Sequence, residues 1–387
     1  ILPDGARETK EYDLAGNVHQ RTDFMGRATG YTYDEMGRLT ARTYPSDPAQ
    51  NVAFTYKPSG RRWTVTDARG VTTYGYDVRQ RLESLLYPDG RRLEYGHDAN
   101  GNRSSLTAVI GTQTIATGFT YDDAGRLDLV TDPAGRVYDH GYDPNGNRAS
   151  LAYPNGAVTG YTYNTLNRLT NLATTHPASG VTIQSYGFTL GPSGNRTAIT
   201  EADGTVRAYT YDDLYRLTGE RVTIGGPVQY EKVFTYDDVG NRLTQTTTGT
   251  GAPGTPLAPG AIAYDYDTRD RLLTETLGVN PPSVSTYDDS GNLTAKVGEA
   301  TYTWDLENRL IRVATGPAGS TTITEHAYDA DGNRVQTRVT PANGPPVVTN
   351  FLADTSGSLS HVVAETTAAG ALQAYYVRAD DLLAGMR

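Results

Sequence analysis

The chain has 387 residues, with 34 basic and 44 acidic side chains and a formal net charge of −10. Because nucleic-acid-binding proteins concentrate basic charge on one face, this acidic balance argues against a nucleic-acid partner. The absence of cysteine excludes disulfides, and no apolar stretch approaches the roughly 20 residues of a membrane helix, so we expect no membrane span.

A five-residue motif, Tyr-Asp-x-x-Gly, recurs along the whole chain and is called the pentad below. Its clear copies begin at Tyr12, Tyr33, Tyr121, Tyr142, Tyr236, Tyr287 and Tyr328. Degenerate copies begin at Tyr56, Tyr76, His97, Tyr163, Leu190, Tyr211, Tyr266 and Trp304. The usual interval of about twenty-one residues predicts one supersecondary unit stacked many times.

Each repeat is typical of two strands joined by a tight turn. Alternating aromatic and threonine residues before the pentad, as in residues 31–33, suit a half-buried sheet. The pentad Asp opens the turn because its carboxylate accepts hydrogen bonds from backbone amides. The pentad Gly closes it because a bulged type I turn needs a positive φ. A second set of turns between the pentads, as at Pro88-Asp89-Gly90, completes an antiparallel ribbon with almost no helix.

The period predicts one continuous array over residues 1–350. A Thr-, Gly- and Pro-rich stretch near 246–259 breaks the period and is expected to be a flexible surface loop, in which Gly251 tolerates substitution. Residues 351–387 depart from the pattern and predict a longer terminal hairpin. Because the sequence starts inside a repeat and shows no signal-peptide pattern, we expect it to be a piece of a longer polypeptide.

Arginines follow the turn glycines, either directly, as at Arg38 and Arg126, or one position later, as at Arg103 and Arg148. The structural interpretation is that each arginine donates paired hydrogen bonds to the Asp of its own or the next repeat. The functional alternative is a row of arginines that binds phosphates, which the acidic net charge weakens.

Tyrosine dominates the aromatic residues, with 28 Tyr against 6 Phe and 2 Trp. Pairs at positions i and i+2, such as Tyr161 and Tyr163, place both rings on one face of a strand. Strands about 4.8 Å apart then predict ladders of stacked rings. Such rings suit a single-layer sheet without a thick core. The alternative is a platform for sugar rings, which leaves glycans as a second possible partner.

No catalytic, cofactor-binding or metal-binding residues are predicted, so the chain is not expected to be an enzyme. The six histidines show no metal-ligand spacing, and the tandem acids Asp237-Asp238 and Asp288-Asp289 occupy turn positions. Residues 329–333 superficially resemble a calcium loop, but the glycine comes too early and no glutamate follows at the twelfth position. Neither a Gly-x-Ser-x-Gly elbow nor a phosphate loop is present.

The pentads and their trailing Arg or Asn resemble the YD repeats of bacterial Rhs proteins, of the B/C components of Tc toxins and of animal teneurins. The resemblance covers about residues 8–340, and residues 351–387 resemble the region ahead of the Rhs-associated core. It implies an all-β fold, a continuous antiparallel hairpin ribbon of about fifteen YD repeats that coils into a spiral or hollow shell.

The same resemblance implies a non-catalytic structural scaffold, the shell portion of a secreted polymorphic toxin that encloses a C-terminal effector. The expected partner is then the toxin or effector domain of the same polypeptide, and the expected location is outside a bacterial cell or on its surface. No stretch matches the family's self-cleaving aspartate motif, so autoproteolysis is not implied. The alternative function is a cell-surface carbohydrate-binding or adhesive module that uses its tyrosine-rich faces.

Overall fold

The chain forms an all-β structure in a computed structural model that describes residues 2–3, 5–249, 251, 260–317, 319–357, 359–379 and 381–386. Strands account for 59% of the residues and helix for 1%. The helical residues described form one short 3₁₀ turn, Pro48–Gln50. Successive strands pair antiparallel, as in the pairs formed by residues 28–43 and 137–152. The predicted all-β hairpin ribbon is therefore confirmed.

The strands fall into two compact units, of which unit 1 comprises Ile1–Phe119 and Ser285–Arg387. Its N-terminal strands are β1 (Thr9–Tyr12), β2 (Val18–Thr22), β3 (Ala28–Tyr33), β4 (Leu39–Thr43), β5 (Val52–Tyr56), β6 (Arg62–Asp67), β7 (Gly70–Tyr76), β8 (Leu82–Leu86), β9 (Arg92–His97), β10 (Arg103–Ile110) and β11 (Gln113–Tyr121).

The C-terminal part of unit 1 holds ten further strands, numbered here after those of unit 2. They are β25 (Ser283–Tyr287), β26 (Leu293–Lys296), β27 (Ala300–Trp304), β28 (Leu310–Thr315), β29 (Thr322–Tyr328), β30 (Arg334–Thr340), β31 (Val347–Asp354), β32 (His361–Thr367), β33 (Leu372–Arg378) and β34 (Leu382–Met386). The predicted terminal segment, residues 351–387, thus contains the end of β31 and β32–β34, which pair antiparallel in succession.

Unit 2 comprises Thr120–Val284 and consists of consecutive antiparallel strands. These are β12 (Leu127–Thr131), β13 (Val137–Tyr142), β14 (Arg148–Ala152), β15 (Val158–Tyr163), β16 (Leu169–His176), β17 (Val181–Leu190), β18 (Arg196–Glu201), β19 (Thr205–Tyr211), β20 (Leu217–Ile224), β21 (Val228–Tyr236), β22 (Arg242–Gly249), β23 (Gly260–Tyr266) and β24 (Leu272–Leu277).

The strand register shifts by one residue at the pentad tyrosine. Between β3 and β4, Thr32 pairs with Ala41 but Tyr33 pairs with Leu39, so one extra residue is accommodated there. The same shift occurs at the pentad aromatic position in other repeats, for example at Tyr142, Tyr236 and Tyr328. A bulge of this kind next to a tight turn strengthens the right-handed twist of the hairpin.

The predicted loop near 246–259 begins later than expected. Strand β22 continues to Gly249, and residues 250 and 252–259 of that prediction lie outside the described part of the chain. Gly251 is buried, has a φ of 83° and donates its backbone N–H to the Gln229 carbonyl at 3.2 Å. The expectation that Gly251 tolerates substitution is therefore wrong, because a side chain there meets both an unfavourable φ and a buried site.

The largest apolar core lies in unit 1, where N-terminal and C-terminal strands pack together. Strands β8–β11 contribute Leu85, Leu93, Tyr95, Ala108, Ile110 and Ile115, and strands β31 and β32 contribute Leu352, Val363 and Ala364. A second cluster joins Val52, Phe54 and Val65 to Ala330. Segments far apart in sequence therefore bury each other's apolar side chains, which is the main hydrophobic stabilisation of this unit.

Candidate functional site

Each pentad Asp holds its turn with both carboxylate oxygens. In unit 2, Asp122 Oδ1 accepts hydrogen bonds from the backbone N–H groups of Ala124 at 3.0 Å and Arg126 at 2.9 Å. Its Oδ2 accepts from Arg126 Nε at 2.8 Å. Where asparagine follows the glycine, as at Asn147, its Nδ2 donates to Asp143 Oδ2 at 2.9 Å. The predicted pairing of an arginine with the Asp of its own repeat is thus confirmed, and its charge assistance strengthens the turn.

The same arginine also contacts the aromatic ring of the next repeat. The Arg126 guanidinium carbon lies 4.5 Å from the centre of the Tyr142 ring, and the Tyr142 hydroxyl donates to the Leu127 carbonyl at 2.8 Å. These two repeats are therefore joined by a cation–π contact and a hydrogen bond. The hydroxyl-to-carbonyl bond recurs at Tyr33, Tyr56, Tyr163, Tyr211, Tyr236, Tyr266 and Tyr328.

An arginine is the partner of the pentad ring at Tyr56, Tyr142 and Tyr236, and the predicted ladder of stacked tyrosines stays a prediction. Arg38 lies over Tyr56 and Arg216 over Tyr236, at 4.7 Å and 4.9 Å from the ring centres. The Tyr56 and Tyr236 rings are half-buried, and their hydroxyls donate to backbone carbonyls within the ribbon. Because a sugar platform needs exposed ring faces, these contacts weaken the interpretation of the tyrosines as a glycan-binding surface.

A second row of arginines stands two positions after the turn glycine and stacks on aromatic residues of its own repeat. The Arg103 guanidinium carbon lies 5.2 Å from the Tyr95 ring centre, and that of Arg62 lies 5.1 Å from Phe54. Stacking over the ring leaves the edges of the guanidinium group able to donate hydrogen bonds. In unit 1, these two arginines donate to residues far away in sequence.

We name the contacts between residues 42–103 and residues 307–356 the seam of unit 1. Arg62 Nη1 donates to both carboxylate oxygens of Asp331, at 2.9 Å and 2.7 Å. Arg103 Nη1 donates to Asp354 Oδ2 at 2.6 Å. The expectation that Arg103 pairs with the Asp of its own or the next repeat is therefore wrong. Tyr87 adds a hydrogen bond from its hydroxyl to the Ala353 carbonyl at 2.8 Å.

Asp354 is the central acceptor of the seam and is only 6% exposed. It accepts hydrogen bonds from the Tyr95 hydroxyl at 3.0 Å, from Arg103, and from both the backbone N–H and the hydroxyl of Ser356, at 3.0 Å and 2.7 Å. Burial alone raises the pKa of Asp354, but the Arg103 charge and the Ser356 hydrogen bonds outweigh burial and hold the pKa below its usual value.

Asp329 has the opposite electrostatic environment. Burial raises its pKa above the usual value and nearby Asp331 raises it further, although hydrogen bonds from Asn333 lower it. Its oxygens accept from the backbone N–H groups of Asp331 at 3.0 Å and Asn333 at 2.8 Å, and from Asn333 Nδ2 at 2.9 Å. The segment that resembles a calcium loop is therefore a pentad turn whose carboxylates bond to the protein itself.

The described residues contain no group of three or more His, Asp or Glu side chains arranged to hold a metal ion. Of the tandem acids, Asp237 accepts turn hydrogen bonds from Val239, Gly240 and Asn241, while Asp238 beside it is exposed. Over the same ranges of the chain, no helix combines the length and apolar character needed to cross a membrane.

Gly125→Ala is expected to destabilise the protein by about 1 kcal/mol. Gly125 has a φ of 75°, and a Cβ there meets no neighbouring atom within 4 Å, so the cost is that of the backbone conformation. The control is Gly160→Ala on β15, where a Cβ also meets open space and no positive φ is present. Urea denaturation of both variants measures the difference, and equal losses would contradict a special role for the pentad glycine.

The converse substitution is offered by repeats that lack the glycine. Gln80 and Tyr215 occupy the pentad glycine position with φ of 62° and 60°. Gln80→Gly is therefore expected to stabilise the protein by up to about 1 kcal/mol, because it removes strain in the left-handed region. A lower urea midpoint for this variant would contradict the same backbone argument.

Stability is expected to fall as the pH drops below about 4. Hydrogen bonds from Arg126 to Asp122, and from Asn147 to Asp143, hold the pKa of each carboxyl below its usual value. In the unfolded chain these carboxyls have their ordinary pKa of about 3.9, so they bind protons at a higher pH than in the folded chain. The stabilisation is therefore complete above about pH 3.9, and it is lost as the pH falls through the lower pKa values of the folded state. Urea denaturation at a series of pH values measures this, and Asp122→Asn should make the acid decline shallower. An unchanged decline would contradict the contribution of that carboxylate.

Comparisons with known proteins identify the repeat. The RHS Repeat model matches residues 3–49, 97–137 and 142–182, and the Teneurin YD-shell model matches residues 179–369. The TcdB2-TccC3-TEV crystal structure superposes with a TM-score of 0.72 over 97% of this chain and 24% of that chain, at 15% identity. This similarity shows that the two chains share a fold.

Two groups of curated relatives match shorter segments. The tRNA3(Ser)-specific nuclease WapA of Bacillus spizizenii is 35% identical over 147 residues, which is 38% of this chain and 5% of the relative. The double-stranded DNA deaminase toxin A of Burkholderia cenocepacia is 32% identical over 96 residues, which is 24% of this chain and 7% of the relative. The chain thus aligns with only a small part of either relative.

Proposed function

Since this chain is a YD-repeat protein of the Rhs type, we propose that it is a non-catalytic structural scaffold, the shell portion of a secreted polymorphic toxin that encloses a C-terminal effector. The observation that carries the proposal is that the recurring acids and arginines are used to hold the ribbon together. An active site needs its set of catalytic residues only once in a chain. The Asp–Arg–Tyr contacts described above instead recur from repeat to repeat.

The chemistry of the repeats supports a scaffold because the pentad Asp and the arginine that follows the glycine, as at Asp122 and Arg126, already have partners. Both oxygens of Asp122 accept hydrogen bonds within the turn, and Arg126 bridges that Asp and the next ring. A carboxylate engaged in this way has a lowered pKa, which disfavours it as a general acid near neutral pH. These residues therefore support a structural function and not a catalytic one.

The effector domain of the same polypeptide is the partner that the relatives support. They are a tRNA nuclease and a DNA deaminase toxin, and the matching segments cover 5% and 7% of their lengths. Repeats of this type therefore occur in much longer polypeptides that carry a toxic activity. That context also supports a secreted or bacterial cell-surface location. A nucleic-acid contact by the repeats themselves is disfavoured by the net charge of −10.

The absence of catalysis is tested with the substrates of the relatives. The purified chain should neither cleave tRNA nor deaminate double-stranded DNA, and it should be inactive towards glycosidase, protease and esterase substrates. Turnover that survives repurification and disappears in the Asp288→Asn, Asp289→Asn double variant would overturn the non-catalytic part of the proposal.

Enclosure is tested on the full-length polypeptide encoded by the gene. Limited proteolysis should leave the effector portion intact while the repeats are folded, and the Asp354→Ala variant should accelerate effector cleavage because it weakens the seam. If the effector is digested as fast within the polypeptide as in isolation, the repeats do not enclose it. That result would overturn the enclosing role and would leave the scaffold assignment unchanged.

Glycan-array binding separates the scaffold from the carbohydrate-binding alternative. Pentad rings such as Tyr142 and Tyr236 are half-buried and their hydroxyls donate to backbone carbonyls, so we expect no strong binding to neutral glycans. The variant is Tyr12→Ala, because Tyr12 is 61% exposed. Saturable glycan binding that this variant loses would favour the adhesive module instead.

A further inference from the structure

An open cavity of about 480 Å³ in unit 1 is lined by basic side chains. Arg61, Arg81, Arg103 and His97 contribute to its wall, and Ser356 lies at the same wall. No acidic residue is among the lining residues. In a chain with a net charge of −10, this is a local concentration of basic charge. Arg81 and Arg103 also hold a pentad turn and the seam, whereas the turn and seam contacts described above do not use Arg61.

The repeat that supplies Arg61 departs from the pentad pattern in a specific way. Lys57 stands at the position of the pentad Asp, in the sequence Tyr56-Lys57-Pro58-Ser59-Gly60. The turn itself is retained, since Gly60 donates its N–H to the Lys57 carbonyl at 2.8 Å and has a φ of 85°. The substitution therefore removes the carboxylate and adds a positive charge without changing the turn.

The consequence is that Arg61 lacks the partner that the equivalent arginines have. Arg38 and Arg81 bond through Nε to the Asp of their own turns, each at 2.7 Å. The Arg61 side chain is exposed and makes no hydrogen bond or ion pair with a described residue, and Lys57 Nζ lies 5.4 Å from the Tyr76 ring centre. Arg61 is thus an uncompensated cation at the wall of the cavity.

The other two arginines are held in place by the protein. Arg81 is fixed by Asp77 and by a hydrogen bond from Nη1 to the Asp98 carbonyl at 3.2 Å. Arg103 is fixed by Asp354, with a further hydrogen bond to Ser356. Because their guanidinium groups are already oriented, a ligand loses less side-chain entropy on binding them than it would on binding free arginines.

His97 lies at the wall of this cavity, and its pKa is lowered. Burial lowers its pKa first, and the positive charges of Arg81 and Arg103 lower it further, although Asp77 and Asp98 act in the opposite direction. The net effect of the charged neighbours leaves His97 in a region that disfavours a proton. An anion in the cavity would reverse that effect.

From this geometry we propose that the cavity binds an oxyanion of the phosphate or sulfate type, with Arg61 as the principal donor and Arg81 and Arg103 as oriented partners. Guanidinium groups recognise tetrahedral oxyanions through paired, charge-assisted hydrogen bonds. The cavity, at about 480 Å³, is larger than a free phosphate or sulfate ion requires. A phosphate group carried on a small molecule, such as a monosaccharide phosphate, therefore suits it better than the free ion.

Calorimetric titration of the 387-residue chain tests the proposal with four probes: glucose 6-phosphate, inorganic phosphate, sulfate and glucose. Saturable binding of the charged probes but not of glucose is the expected result. Tighter binding of glucose 6-phosphate than of phosphate identifies a phosphorylated small molecule as the ligand, and equal binding identifies the free ion. Failure of every charged probe to bind at millimolar concentration, or equal binding of glucose, would overturn the proposal.

Two variants assign the binding to this cavity. Arg61→Gln should weaken binding by roughly tenfold or more, the effect of losing one charge-assisted hydrogen bond. Lys57→Asp restores the pentad carboxylate. The new carboxylate should pair with Arg61, so this variant should lose binding while the turn stays folded. The control is Arg338→Gln, an exposed arginine outside the cavity that should bind the probes like the unaltered chain. Unchanged binding in both cavity variants would overturn the assignment.

A spectroscopic measurement gives an independent test. Sulfate is the probe because it does not titrate near neutral pH. In NMR titrations, saturating sulfate should raise the pKa of His97, since a nearby negative charge favours the protonated ring. His326, which does not line the cavity, is the reference. A His97 pKa that stays constant while sulfate binds would place the anion elsewhere and overturn the proposal.

Discussion

Asp354→Ala is expected to destabilise unit 1 by about 3 to 5 kcal/mol, which is the usual cost of removing one partner from a buried ion pair. The Asp354 and Arg103 side chains are 8% and 29% exposed, and the pair is 2.6 Å long. The truncation leaves the Arg103 guanidinium and the Tyr95 hydroxyl without their carboxylate acceptor. Urea denaturation measures the loss, and amide hydrogen exchange should locate it in unit 1.

Asp331→Ala is the matched control for this prediction. The Arg62–Asp331 pair has a similar length, 2.7 Å, but its side chains are 32% and 40% exposed. Because solvent screens an exposed pair, its loss should cost less than about 1 kcal/mol. If the two variants lose the same small amount of stability, burial of the Asp354 carboxylate does not determine the strength of the seam.

Leu93→Ala and Leu352→Ala are each expected to cost about 2 to 5 kcal/mol, the range for truncating a fully buried leucine. Leu93 is 0% exposed on β9 and Leu352 is 1% exposed on β31, and both belong to the same apolar cluster. The cluster joins strands that are distant in sequence. Either truncation should therefore loosen the contact between the N-terminal and C-terminal parts of unit 1. Urea denaturation of the two variants checks the expected losses.

The double variant tests whether these two leucines share one core. Its loss of stability should differ from the sum of the single losses, because side chains that border a common cavity are coupled. Leu14→Ala is the control, since Leu14 is fully exposed at a turn and its truncation should change stability by no more than about 0.5 kcal/mol. Small and additive effects at Leu93 and Leu352 would contradict a packed core between the two segments.

The contacts within a pentad could be predicted from the sequence because they span only a few residues. Asp122 reaches Ala124 and Arg126 at fixed offsets, and any chain with this spacing and a positive φ at the glycine forms the same turn. The contact of Arg126 with Tyr142 was missed, although its signal was available. An arginine after each turn glycine and an aromatic at the start of the next pentad recur together, and their regular offset could have indicated the pairing.

The cavity was only partly foreseeable. The replacement of the pentad Asp by Lys57 is visible in the sequence and marks the repeat as different. That Arg103 and Ser356 join the same cavity is not visible, because Ser356 lies in a segment without the pentad pattern. The phosphate-binding row considered from the arginine pattern is accordingly replaced by one proposed site, at the repeat whose arginine lost its Asp.

The sequence by itself determined the all-β class, the positions of the turns and the pairing of each strand with its neighbour, since these follow from local hydrogen bonds and backbone conformation. Only the tertiary structure decided the division into two units and the seam that brings Asp354 to Arg103 and Leu352 to the core around Leu93. The physical reason is that such distant contacts depend on the twist accumulated over many hairpins. Small differences at each bulge and loop add up along the ribbon, and no single repeat encodes their sum.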